Sequence, residues 1–281
     1  MAGLAPAGST STARIYDYLL GGKDNNAADR QAAEQLLRAL PDAALVARAN
    51  RAFLAAAVRQ VAANGVTQFV DIGPGFPATP NVHESARSVA PAARVAYVDY
   101  DAEVVARTQE VLAGDDLVTA FGGNARDSTA ILEDPRLGSL INLAEPVCVL
   151  FLSVLHFLPP AEADAAVAAV RERVAPGSYL VITAGVNNEQ NAPAQGLVQV
   201  AYSANTLLAG RPKAEIAAYF ADLELVPPGL VPVTEWPTGD PAGDAAGDAG
   251  GGPGSGPGGG PGGSKALLMA EILAGVGRKP G

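Results

Sequence analysis

Phe69-Val-Asp-Ile-Gly-Pro-Gly-Phe76 reads as a buried strand that delivers a carboxylate and two glycines into a tight turn. Phe69, Val70 and Ile72 suit a strand interior, and Asp71 falls near its carboxyl end. Gly73 and Gly75 let a ligand approach the backbone with no Cβ in the way. An α/β sheet presents its edge to a nucleoside in this manner, so function is sought at this turn.

Downstream the pattern repeats. A helix around Val82 to Val89, a strand Arg94 to Asp99, a helix Ala102 to Leu112 and a strand Leu117 to Phe121 complete a βαβαβ unit. Short helices at Thr129 to Leu132 and Pro135 to Leu140 lead to an apolar strand Pro146 to Val154. A helix carrying Ala163, Ala166, Val167, Val170 and Val174 then ends at Pro176-Gly177, before a strand Ser178 to Ala184. Five strands joined by crossover helices imply a mostly parallel, doubly wound sheet. Gln190 to Leu208 and Lys213 to Phe220 read as further helices, followed by Leu223 to Val226 and a strand Gly229 to Glu235. Residues 238–264 are dominated by Gly, Pro, Ala and Asp and read as a disordered insertion, after which Ala266 to Val276 regains strand character. Pairing of this last segment antiparallel to Gly229 to Glu235 makes the insertion a hairpin tip.

Upstream, Arg14 to Leu20 forms a helical turn stopped by Gly21-Gly22, and Asp24 or Asn25 caps a helix running through Leu40. Leu45, Ala49, Ala52, Phe53, Ala56 and Val61 supply an apolar face to a helix from Ala43 to Ala63, closed by Asn64-Gly65. The expected organisation is a helical extension or lid over residues 1–65 and an α/β core over residues 66–281.

Composition narrows the function classes. A formal charge of −10 with no Lys/Arg cluster argues against nucleic acid as a partner, because that interaction needs cations to displace counterions from phosphates. The chain has one cysteine, Cys148, set between valines, which excludes an intrachain disulfide, and its two histidines make no convincing metal site. The N-terminus lacks the basic and apolar regions of a secretion signal, and the apolar run Val147 to Leu158 is too short for a membrane helix. A cytoplasmic location with no membrane partner is expected, and the sequence sets no oligomeric state.

Gly73-x-Gly75-x-x-Ala78 meets the loose dinucleotide fingerprint, with Asp99 near the distance expected of a ribose-binding carboxylate. Pro77 and Pro80, however, delay the following helix to about Asn81, so its N–H groups serve a pyrophosphate poorly. Asp71 repels a diphosphate but tolerates a ligand bearing an ammonium and a sulfonium. Charge therefore favours S-adenosylmethionine over NAD. An NAD-dependent oxidoreductase and a noncatalytic sensor of S-adenosylmethionine are the competing expectations.

Val70-Asp-Ile-Gly-Pro-Gly75, with Asp99 ending the second strand, resembles motif I and its partner in class I S-adenosylmethionine-dependent methyltransferases. Arg14-Ile-Tyr-Asp-Tyr-Leu-Leu-Gly-Gly-Lys-Asp-Asn25, Arg48-Ala-Asn-Arg-Ala-Phe-Leu54, Asn81-Val-His-Glu84, Leu155-His-Phe157 and Gly275-Val-Gly-Arg-Lys-Pro280 resemble a bacterial family called S-adenosyl methyltransferase, formerly a domain of unknown function. The resemblance spans nearly the whole chain apart from the Gly-rich insertion. It implies a Rossmann-like, seven-stranded, mostly parallel sheet with an antiparallel last strand, and methyl transfer from S-adenosylmethionine to a small-molecule acceptor.

The resemblance also implies roles. Gly73, Pro74 and Gly75 pack beneath the methionine portion, Asp71 organises its amino-acid end, Asp99 holds the ribose hydroxyls and Tyr100 lies beside adenine. Asn124 and Ala125 follow the third strand, where many relatives place an Asp on the adenine amino group. Leu152 and Ser153 open the segment at which the acceptor meets the sulfonium. His156 is the candidate base or acceptor-orienting group, and Tyr16, with Tyr18, Lys23 and Asn25, belongs to a cluster that folds over the cofactor. His83 is expected to brace the glycine turn or cap its helix, and Arg51 to reach a carboxylate.

Overall fold

The computed structural model describes residues 10–187, 210–239 and 271–281. Three helices come first: α1 (Thr12–Leu19), α2 (Ala27–Ala39) and α3 (Ala43–Ala63). The core then alternates β1 (Gln68–Ile72), α4 (Val82–Arg87), β2 (Arg94–Asp99), α5 (Ala102–Val111) and β3 (Val118–Gly122). It continues with α6 (Ser128–Leu132), α7 (Pro135–Gly138), β4 (Cys148–Leu152), α8 (Pro160–Arg173) and β5 (Tyr179–Gly185). The remaining elements are α9 (Lys213–Ala218), β6 (Glu224–Leu225), β7 (Val231–Pro232) and β8 (Ile272–Arg278).

The sheet order is β3-β2-β1-β4-β5-β8-β6, with β7 also paired to β8. The first five strands are parallel and β8 runs antiparallel to β5, as the sequence implies. The expected sixth strand is the one departure. It is shortened to Val231–Pro232 and preceded by a separate two-residue strand, because seven residues from Leu225 to Val231 lie against four from Gly277 to Ala274, and Pro227-Pro228-Gly229 loops out of the ladder. Proline offers no N–H to a ladder, so pairing resumes only at Val231 and gives way to a 3-10 turn at Val233–Glu235. Eight strands result instead of seven. The expected helix Gln190 to Leu208 and most of the 238–264 insertion lie outside the described residues.

Side chains alternate across the sheet with period two. Val70, Ile72, Val98, Phe151, Leu180 and Ile182 face α6 to α9 in one apolar layer. Phe69, Val95, Tyr97, Leu150 and Val181 face α3 and α4 in the other, with Phe53 and Trp236 edge to face at 4.8 Å between centroids. α3 thus packs directly on the sheet, whereas α1 and α2 build a smaller cluster around Ile15, Leu19, Ala33 and Leu36 against Ala43 and Ala47 at the start of α3. Asn26 caps α2, one residue beyond the expected Asp24 or Asn25, and its side chain accepts the Ala28 and Asp29 N–H groups while Asp29 accepts the Asn26 N–H.

Two further sequence features find physical reasons. A Cβ on Gly277 would sit 2.8 Å from Phe220 and 2.9 Å from Leu223, so this strand position admits only glycine at such close packing. Lys279 donates to the Arg171 and Val174 carbonyls at 2.6 and 2.8 Å and so closes the end of α8. At the free edge of the sheet, the Ala120 carbonyl accepts from Gln109 at 2.7 Å and the Gly122 carbonyl from Arg136 at 3.4 Å.

Candidate functional site

The carboxyl ends of β1, β2 and β4 converge on the glycine turn. Gly73 and Gly75 have φ of +76° and +66°, the left-handed region that disfavours a side chain. A Cβ on Gly73 would fall 2.4 Å from Val154 Cγ2, so the turn and the segment after β4 are in contact only because that atom is missing. Pro74 lies between them and donates nothing. The Gly73 N–H donates to the Val98 carbonyl at 2.8 Å, which ties the turn to β2.

Asp71 is 3% exposed, and no hydrogen bond reaches its carboxylate from the described residues. Burial pushes it up to about 7, with the Arg51 guanidinium opposing and the Asp99 carboxylate adding to the rise. Asp99 ends β2; its Oδ1 accepts the Asp101 N–H at 2.9 Å and its Oδ2 the Gly75 N–H at 3.2 Å. Burial raises it to about 6 against those two donors. Each oxygen keeps a lone pair for a ligand hydroxyl. Tyr100 follows directly and is 61% exposed, an aromatic surface open beside the carboxylate. The Gly123 N–H donates to the Asp99 carbonyl at 2.9 Å, which brings Asn124 and Ala125 to the same end of the sheet. Asn124 Oδ1 accepts the Arg126 N–H at 3.0 Å, so the amide oxygen already caps the 3-10 turn Ala125–Asp127.

Leu152 and Ser153 leave β4 next to the glycine turn, and Ser153 has φ of +57° without being glycine. Its N–H donates to Thr183 Oγ1 at 2.9 Å, and its hydroxyl accepts from Asn50 at 3.1 Å. Asn50 also donates to the Tyr16 hydroxyl at 2.9 Å, which connects α1 to the site. Asn50 and Thr183 carry this arrangement but were not singled out from sequence as functional. The available signal was a polar residue on the apolar face of α3, in step with Val46 and Phe53.

The two residues expected to act catalytically both make internal hydrogen bonds. His156 is buried in the 3-10 turn Leu155–Phe157, where its Nδ1 accepts the Gly185 N–H at 3.2 Å. Burial and the nearby Arg211 guanidinium hold its pKa down at about 4, so the imidazole is neutral and structurally engaged. Tyr16 donates to the Ala47 carbonyl at 3.2 Å, and burial raises its pKa. Arg51 reaches carbonyls instead of a carboxylate, donating to Ala78 and, at 2.6 Å, to Pro80; it holds the loop that follows the glycines. His83 pairs with the Tyr97 hydroxyl at 2.8 Å behind the turn.

α1 lies over the site. A Cβ on Gly75 would be 4.0 Å from that of Ala13, and the Ser11 hydroxyl donates to Asp101 at 3.2 Å. Arg14 anchors the helix through Asp29 at 2.7 Å and Glu103 at 2.5 Å. The constellation suits a cationic nucleoside: an open aromatic face, a carboxylate with free lone pairs, a backbone turn without side chains, and a buried carboxyl to which no described residue donates a hydrogen bond. No described helix is long and apolar enough to cross a membrane.

A family model described as S-adenosyl methyltransferase matches residues 6–280. A candidate methyltransferase of known structure from Thermobifida fusca YX is 34% identical, with 98% of this chain and 97% of that one covered and a TM-score of 0.84. A DUF574 family protein from Streptomyces avermitilis MA-4680 is also 34% identical, with 97% and 98% covered and a TM-score of 0.81. No curated protein matches the chain.

Proposed function

Because the chain belongs to the S-adenosyl methyltransferase family, with S-adenosylmethionine as its methyl donor, we propose that it methylates a small-molecule acceptor beside Leu152 and Ser153. The observation that carries the reading is the pairing of the glycine turn with Asp99 and the open Tyr100 face. Asp99 would hold the ribose hydroxyls, Tyr100 the adenine, Gly73 to Gly75 the methionine portion and Asp71 its ammonium. Asn124 and Ala125 would border the adenine, with the second lone pair of the Asn124 oxygen serving its amino group. Bound there, S-adenosylmethionine supplies an electrophilic methyl group on a sulfonium.

The protein's own contribution is alignment and exclusion of water, which supply much of the rate of an in-line displacement. Ser153 and Leu152 would orient the acceptor, and α1 would cover the site as a lid. His156 and Tyr16 serve better as scaffold than as bases, since His156 Nδ1 and the Tyr16 hydroxyl are engaged by internal partners. That favours an acceptor arriving with its nucleophilic lone pair already free. A small molecule is favoured by the charge of −10 and the absence of a basic cluster in the sequence.

Titration calorimetry with S-adenosylmethionine, S-adenosylhomocysteine and NAD tests the cofactor site, with binding expected for the first two alone. Methyl-labelled cofactor incubated with fractionated bacterial extract tests the acceptor. Protein-dependent label in the small-molecule fraction is expected, and label confined to protein or nucleic acid would overturn the proposal.

A further inference from the structure

A buried polar chain joins the N-terminal helix to the end of β4, and its protons have one consistent direction. The Ser153 N–H is shared between Thr183 Oγ1 at 2.9 Å and the Thr183 carbonyl at 3.2 Å, and the Thr183 hydroxyl donates to Asn50 Oδ1 at 2.9 Å. The orientation of the Asn50 amide follows: its N–H groups face the Tyr16 hydroxyl at 2.9 Å and Ser153 Oγ at 3.1 Å. Turned over, the amide would set a second donor against Thr183 Oγ1 and leave that hydroxyl without its Asn50 acceptor, in a residue with no exposed surface. Asn50 itself is 3% exposed.

Ser153 depends on these bonds. A non-glycine residue at φ of +57° is strained and persists where its surroundings hold it. Thr183 holds its N–H and Asn50 its side chain. Among the described residues the Ser153 hydroxyl proton meets only Thr183 Oγ1, at 3.5 Å, too long for a strong bond. Asn50 therefore aims the Ser153 hydroxyl while being held by Tyr16 of α1.

We propose that Asn50 is a positioning residue that sets the closure of α1 and the conformation of Ser153 as a single event; this rests on the site assignment made above. Lifting α1 removes Tyr16 and lets water reach Asn50, so the amide loses its one favoured orientation and Ser153 its fixed donor. A ligand at the glycine turn meets Ala13 of α1 on one side and Ser153 on the other, and it binds best when both are set.

Affinity for S-adenosylhomocysteine, measured by calorimetry, tests this. Tyr16→Phe and Ser153→Ala should each weaken binding about three- to tenfold, the range of one hydrogen bond. Combined, they should weaken it at least threefold less than the product of the two effects. In an Asn50→Leu background the effects should simply multiply, with Asn50→Ala as the second background should the first not fold. Multiplying effects in the parent, or the same coupling without Asn50, would overturn the proposal; a purely structural Asn50 would lower Tm and leave the coupling unmoved. A parent that fails to bind S-adenosylhomocysteine would strike the site assignment and this inference together, whereas binding with independent effects would strike the inference alone.

Discussion

Asp71→Asn should stabilise the protein and damage its function at once. In the folded chain the Asp71 carboxyl keeps its proton to about pH 7, whereas in the unfolded chain it releases it near 3.8. Between those limits the folded state binds more protons, so its stability falls as pH rises. A gap of about three units corresponds to about 4 kcal/mol at 1.36 kcal/mol per unit. Asparagine keeps the shape of the protonated acid and does not titrate. The variant should therefore match the parent near pH 4 and exceed it by about 4 kcal/mol at pH 8, roughly 10 °C in Tm. Asp99, raised to about 6, leaves a residual slope in both proteins below that pH. Urea denaturation at pH 5 and pH 8 measures the difference, and calorimetry should show cofactor affinity falling about tenfold or more at pH 8, the loss of one charge-assisted contact. A variant no more stable than the parent at pH 8 would mean that Arg51 keeps Asp71 ionised, and the reasoning would fail.

Asp99→Asn should lower affinity for S-adenosylhomocysteine by about ten- to a hundredfold, the scale of hydrogen bonds to a charged acceptor, without lowering Tm; unchanged affinity would remove the ribose assignment. Gly277→Ala should destabilise by about 1–3 kcal/mol in urea, because the new methyl meets Phe220 and Leu223 below 3.0 Å. Nitrogen-15 NMR of His156 should show a neutral ring with an unprotonated Nδ1 from pH 8 down to pH 5. A titration near pH 6.5 would contradict its engagement with Gly185.

The five parallel strands were legible because their alternation and terminating residues act locally; the second, Arg94–Asp99, has the bounds expected of it. The glycine turn was legible for a related reason, since its backbone conformation demands that residue type wherever it occurs. The sixth strand, expected over Gly229 to Glu235, was legible only in part, because its apolar content does not reveal that the chain leaves the ladder after Pro232 for a 3-10 turn. Asn50 and Thr183 stand 133 residues apart in the chain, and nothing local to either reveals the bond between them. His156 shows the same limit from the other side. Its position after β4 suggested chemistry, but the N–H that occupies it comes from Gly185, at the end of a different strand.

The side chains laid against the outer carbonyls of β3 matter beyond this one molecule. A sheet margin with open acceptors recruits strands from other chains, and here Gln109 and Arg136 have taken the places such a visitor would need. The opposite margin offers only two-residue strands, one of them ending in Pro232. Among the described residues, both margins of the sheet therefore disfavour self-association by continuous β-pairing.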